Sequence, residues 1–120
     1  MATVLPRRIW HPLDGEADLF EWLNFSNGDV IGWLVLPQKA DKTLHMYGTF
    51  GGTVTLDGSL ESGTPSNPFT INDSRGEGNP LSFTANDGRT LMENVLQIRP
   101  NPGAGVTNTT LRILCVRGGG

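Results

Sequence analysis

The side chains able to do chemistry are few in this chain of 120 residues. Histidine occurs only at His11 and His45, and cysteine only at Cys115. A nucleophilic thiol needs a positioned base, and both histidines are distant from Cys115 in sequence. Cys115 sits in the apolar run 111–116, where a free thiol behaves as a small buried hydrophobe. One cysteine and two separated histidines do not supply a tetrahedral zinc set. Asp57, Ser59 and Glu61 alternate, so on a strand they would project from one face. Oxygens so placed could hold calcium or sugar hydroxyls, and a carboxylate pair could serve glycoside cleavage. The simpler reading is the solvent face of a half-exposed strand. The stretch NDSRGE at 72–77 lacks the order and the closing Glu of a calcium loop. Gly48, Gly51 and Gly52 are followed by neither a helix nor a Lys-Ser/Thr pair, so they make no phosphate loop. No Gly-x-Ser-x-Gly elbow occurs. The expectation is a protein that binds or builds, with no catalytic residues, metal or cofactor.

The elements that would position these residues read as strands. Residues 51–114 run GGTVTLDGSLE, PLSFT, ENVLQIRP and TNTTLRIL, apolar and polar types alternating between Gly, Pro, Asn and Asp breaks. In 43–50, Leu44, Met46, Gly48 and Phe50 share a face. In 53–60, Val54, Leu56 and Leu60 share one face and Thr53, Thr55, Asp57 and Ser59 the other. Residues 30–36 are apolar on both faces, which predicts a central covered strand containing a core Trp33. Asn27-Gly28-Asp29 and Asn86-Asp87-Gly88 are turn signals. Pro100-Asn101-Pro102-Gly103 reads as a break between the last two strands. The 16 glycines and 8 prolines imply many turns. Seven or eight short strands and no long helical pattern predict an all-β fold, a small antiparallel β-sandwich or jelly-roll-like barrel with an extended N-terminal arm. The expected division is an arm over 1–25, a sandwich over 26–117 and a flexible tail over 118–120.

Composition narrows the role. A net charge of −3 does not suit neutralisation of a phosphate backbone, so direct nucleic-acid binding is not expected. No apolar leader and no run of membrane-spanning length are visible, so the expected setting is a cytoplasm or a particle assembled there. Without such a leader, the Asn-x-Ser/Thr triplets at Asn24, Asn72 and Asn108 carry no glycosylation signal. The N-terminal region offers the candidate contacts. Arg7 and Arg8 are the one adjacent basic pair and would suit an acidic partner surface, or simply a solvated arm. Leu19, Phe20, Trp22 and Leu23 fit one or two helical turns, and equally an extended edge segment. Trp10 and Trp22 read as interface anchors, as sugar-stacking platforms, or as residues buried when the arm folds back.

The motifs GTVTLDGS at 52–59, PLSFT at 80–84, Glu93-Asn94 leading to Ile98-Arg99-Pro100, and residues 109–114 carry a family resemblance. Over roughly residues 30 to 116 the chain resembles the small decoration, or cement, proteins of tailed-bacteriophage capsids. Members often carry an aromatic residue soon after the first motif, whereas here none occurs before Phe69. The resemblance implies a structural virion protein on the capsid exterior. Its partners would be the major capsid protein and its own copies, in a homotrimer that shields strand edges. Arg7, Arg8, Trp10, Phe20 and Trp22 are the expected interface residues. The alternatives are another virion component (tail, connector or fibre module) and a carbohydrate-binding sandwich.

Overall fold

The computed structural model describes residues 2–10, 17–37, 41–73, 79–91 and 95–116. These form β1 (Thr3–Val4), β2 (Arg7–Trp10), β3 (Ala17–Phe25), β4 (Val30–Ile31), β5 (Leu34–Val35), β6 (Asp41–Phe50), β7 (Val54–Ser59), β8 (Phe69–Thr70), β9 (Ser82–Phe83), β10 (Asp87–Leu91), β11 (Gln97–Pro102) and β12 (Thr107–Val116). One five-stranded antiparallel sheet runs β10-β6-β12-β3-β2. A second runs β5-β11-β7-β8, with β9 also on β7, and β1 pairs with β4 in parallel. The fold is the expected all-β sandwich.

Alternation drives the packing. Along β6, Lys42, Leu44 and Met46 are buried while Asp41, Thr43 and His45 are exposed, which is the period of two that a one-sided sheet requires. Opposite Leu44 and Met46, β12 contributes Ile113 and Leu111, and β7 and β11 contribute Val54, Leu56 and Ile98. Phe25, Phe83 and Trp22 fill the space between the sheets, each at most 1% exposed. Cys115 belongs to this core and is fully buried, as its apolar run predicts.

The expected arm over 1–25 is corrected. Residues 17–25 are β3, an interior strand paired to both β12 and β2. Trp22 is fully buried, and its indole Nε1 donates to the Gly32 carbonyl at 2.9 Å. What remains outside the sandwich core is shorter: β1 along β4, and β2 as a sheet edge. Residues 11–16 and the expected tail 118–120 lie outside the described residues.

Residues 30–36 are not one covered strand. They form the two short strands β4 and β5, with Val30 and Val35 exposed. Trp33 between them is half-buried against Arg99, whose guanidinium carbon lies 4.5 Å from the ring centroid. Nor do Pro100 and Pro102 break the chain, since both lie in β11 opposite Leu56 and Val54. Antiparallel strands turn alternate N–H groups to opposite flanks. Gly103 donates to Thr53 of the chain leading into β7, so residues 99 and 101 face that flank too. The prolines therefore place their missing N–H groups on the other flank, where β5 reaches only Gln97 and Ile98.

Candidate functional site

The outer face of the larger sheet brings together His45, Tyr47, Arg112, Glu21, Arg7 and Trp10. Its strands align His45 opposite Arg112, Arg112 opposite Glu21, and Glu21 opposite Arg7. Arg112 Nε donates to Glu21 Oε2 at 2.8 Å, and Arg7 Nη2 lies 3.8 Å from Oε1. The acid is the sheltered partner: the Glu21 side chain is 4% exposed, against 67% for Arg7 and 41% for Arg112. Arg8 lies 3.6 Å from Asp18 on the other side of the sheet, since Arg8 is opposite Phe20 and Asp18 opposite Cys115, both of which face the core. The hydrogen bond to Glu21 holds Arg112 still further above its already high pKa, so it is a fixed cation. Tyr47, opposite Thr110, flanks this row, its ring 4.9 Å from that of His45 and 5.8 Å from the Arg112 guanidinium carbon.

The adjacent row is apolar. Thr43 is opposite Leu114, Leu114 opposite Leu19, and Leu19 opposite Trp10. Leu19, Thr43, His45, Arg112 and Leu114 line a shallow depression of about 330 Å³. Trp10 stands at its edge, 52% exposed. On this face two guanidinium groups (Arg7, Arg112) meet one sheltered carboxylate (Glu21). The face thus presents arginines and an edge tryptophan to solvent, residue types favoured in contact surfaces.

Of the residues singled out from sequence, Arg7 and Trp10 of β2 stand on this face, while Arg8 of the same strand is opposite Phe20 and belongs to the other. Phe20 is half-buried and packs against the core. Trp22 is a core residue, which removes it as a surface anchor and as a stacking platform. Sequence reasoning missed His45, Tyr47 and Arg112. The signal was present in β6: once Leu44 and Met46 are assigned inward, Thr43, His45 and Tyr47 must point outward together.

The expected carboxylate line at 57–61 is not a solvent face. Asp57 is 8% exposed and Ser59 is fully buried. Asp57 Oδ2 accepts from Arg99 Nε at 3.2 Å, and Oδ1 from Asn101 Nδ2 at 3.3 Å. Glu61 instead staples a loop, taking the Ser66 N–H on Oε2 at 2.6 Å and the Asn67 N–H on Oε1 at 2.9 Å. The Ser66 bond is the main cause that lowers the Glu61 pKa. A depressed folded-state value means that the staple is fully present above the ordinary carboxylate pKa of about 4, and is lost as pH falls through the lowered value. Hydrogen-exchange protection at Ser66 and Asn67 is therefore expected to fall on acidification below about pH 4. In Glu61→Gln that protection should already be weak at neutral pH, and an unchanged profile would refute the staple.

Among the described residues no group of three or more His, Cys, Asp or Glu could hold a metal ion. No family model matches the chain, and no curated protein matches it. A solved structure of a cupin domain from Bordetella pertussis Tohama I is similar in fold, with a TM-score of 0.51 at 16% identity, covering 98% of this chain and 96% of that one. At that identity the likeness concerns architecture alone. It agrees with two antiparallel sheets wrapped around a single core.

Proposed function

We infer that this chain is a structural virion protein that decorates the outside of a bacteriophage capsid, docking on major capsid protein subunits through the outer face of its larger sheet. The observation that carries the reading is the pattern on that face: the guanidinium groups of Arg7 and Arg112 outward over sheltered Glu21, an apolar depression, and Trp10 standing exposed beside it. Such a surface fits an acidic partner with an apolar anchor point, because the arginines steer and orient while the aromatic supplies buried area. The family resemblance in residues 52–59, 80–84 and 109–114 supports the virion setting. A lattice partner suits a small domain of this kind, since many modest contacts add through avidity. Self-association into a trimer would cover the edge strand β2.

Arg7 and Trp10 are both exposed on an edge strand, so replacing them leaves the core intact. Arg7→Glu with Trp10→Ala is expected to weaken binding to empty or filled heads by about 100-fold. Added salt should weaken the parent protein more than the variant. Co-sedimentation with purified particles reads both effects, with near-ultraviolet circular dichroism as the folding control. Parent protein that saturates a single ring per particle would indicate a connector or tail part. Parent protein that ignores heads would refute the reading.

A further inference from the structure

We propose that the cleft between residues 27–31 and β11, which Arg99 lines, binds a neutral polyol: the vicinal hydroxyls of a single sugar residue. The cleft has a volume of about 290 Å³, near the lower end for small-molecule sites. Its chief polar group is held in place before any ligand arrives. Arg99 Nε donates to Asp57 at 3.2 Å, its plane covers Trp33, and Nη1 makes a long contact of 3.5 Å with the Ile31 carbonyl. Nη2 thus keeps its hydrogens for a ligand, on a side chain 33% exposed.

The other walls offer donors and acceptors in mixture. Asn101 uses one Nδ2 hydrogen on Asp57 Oδ1 and keeps the second, together with its Oδ1. Asn27 donates Nδ2 to the Pro102 carbonyl at 3.0 Å and keeps its own Oδ1. Asp29 accepts from Ala2 N at 3.0 Å and Ser26 N at 2.8 Å, and each carboxylate oxygen retains a further lone pair. Those backbone bonds, Ala2 first, lower the Asp29 pKa, so it stays ionised at neutral pH. Val30, 53% exposed, gives the cleft an apolar wall for a C–H face.

Charge selects the ligand class. Asp29 is the carboxylate in the cleft wall, and Asp57 behind Arg99 offsets that guanidinium, so the cleft does not favour an anion. A hydroxyl both donates and accepts without carrying charge, which matches the carboxamides and the carboxylate together. The Trp33 ring is already covered by Arg99. No stacking platform is added, and the expected dissociation constant is about 1–10 mM.

The test uses the isotope-labelled full chain. Its amide spectrum is titrated with glucose, galactose, mannose and N-acetylglucosamine, and separately with acetate at matched ionic strength. At least one sugar should move the Gly28, Asp29 and Asn101 amides in a saturable way, acetate should not, and Asn101→Ala should abolish the movement. The variant's own spectrum reports its folding, and Asn27→Ala replaces it if that spectrum collapses. The proposal fails if no sugar moves these amides, if acetate alone does, or if the variant responds as the parent does. None of these outcomes bears on the docking face, which lies on the other sheet.

Discussion

Trp22→Ala is expected to leave the protein largely unfolded in dilute buffer. The indole is fully buried between the sheets, and truncating a buried Trp costs about 3–5 kcal/mol. The substitution also strips the Gly32 carbonyl of its donor at 2.9 Å, worth about another 1 kcal/mol. Domains of this size hold only about 5–15 kcal/mol in total. The damage spreads because this bond ties the corner between β4 and β5 to the larger sheet. Trp22→Phe retains most of the ring volume but not the N–H, so a loss of about 1–2 kcal/mol is expected. Urea titration of the three proteins tests the ranking. An alanine variant within about 1 kcal/mol of the parent would show that the indole does not organise the core.

Gly48→Ala is expected to cost about 2–4 kcal/mol, although the residue is exposed. Gly48 has φ +141°, a conformation that L side chains rarely adopt. An added Cβ would collide with the Asn108 carbonyl oxygen and lie 2.7 Å from the Thr109 Cα. Both obstacles are backbone, so no rotamer relieves them. Asn108 itself has φ +42°, and the β12–β3 register shifts between Thr109 and Leu111, so the strand is bulged at this place. Gly28 provides the comparison. Its φ is +92°, yet a Cβ there meets nothing within 4 Å. Gly28→Ala should show only the conformational penalty of about 1–2 kcal/mol. Thermal melts of the two variants separate collision from strain, and equal losses would refute the steric account.

The strands with clean alternation were legible in the sequence. In β6, Leu44 and Met46 face the core as their spacing predicts, and in β7 Val54 and Leu56 do the same. β3 was illegible for a physical reason. Its ADLFEWLNF run buries Asp18 and Glu21 beside arginines of β2 and β12, so charge marks no exposed face and the pattern mimics a helical turn. Paired acids likewise misled the reading of Asp57, whose carboxylate sits beneath Arg99 and Asn101 rather than in water. Residues 30–36 are apolar without being central, because they bend between two short edge pairings. Of the candidate site, Arg7 and Trp10 were found from residue type alone. His45, Tyr47 and Arg112 required knowing which strands are neighbours, and composition does not carry that information.

The paired prolines of β11 have a further effect on behaviour at high concentration. A flank without amide hydrogens at positions 100 and 102 cannot template an incoming foreign strand, since alternate rungs of the ladder would be missing. Crowded copies, as during overexpression, should therefore not nucleate fibrils along this margin. Replacing both prolines with threonine would create that hazard even where the folded protomer looks unchanged.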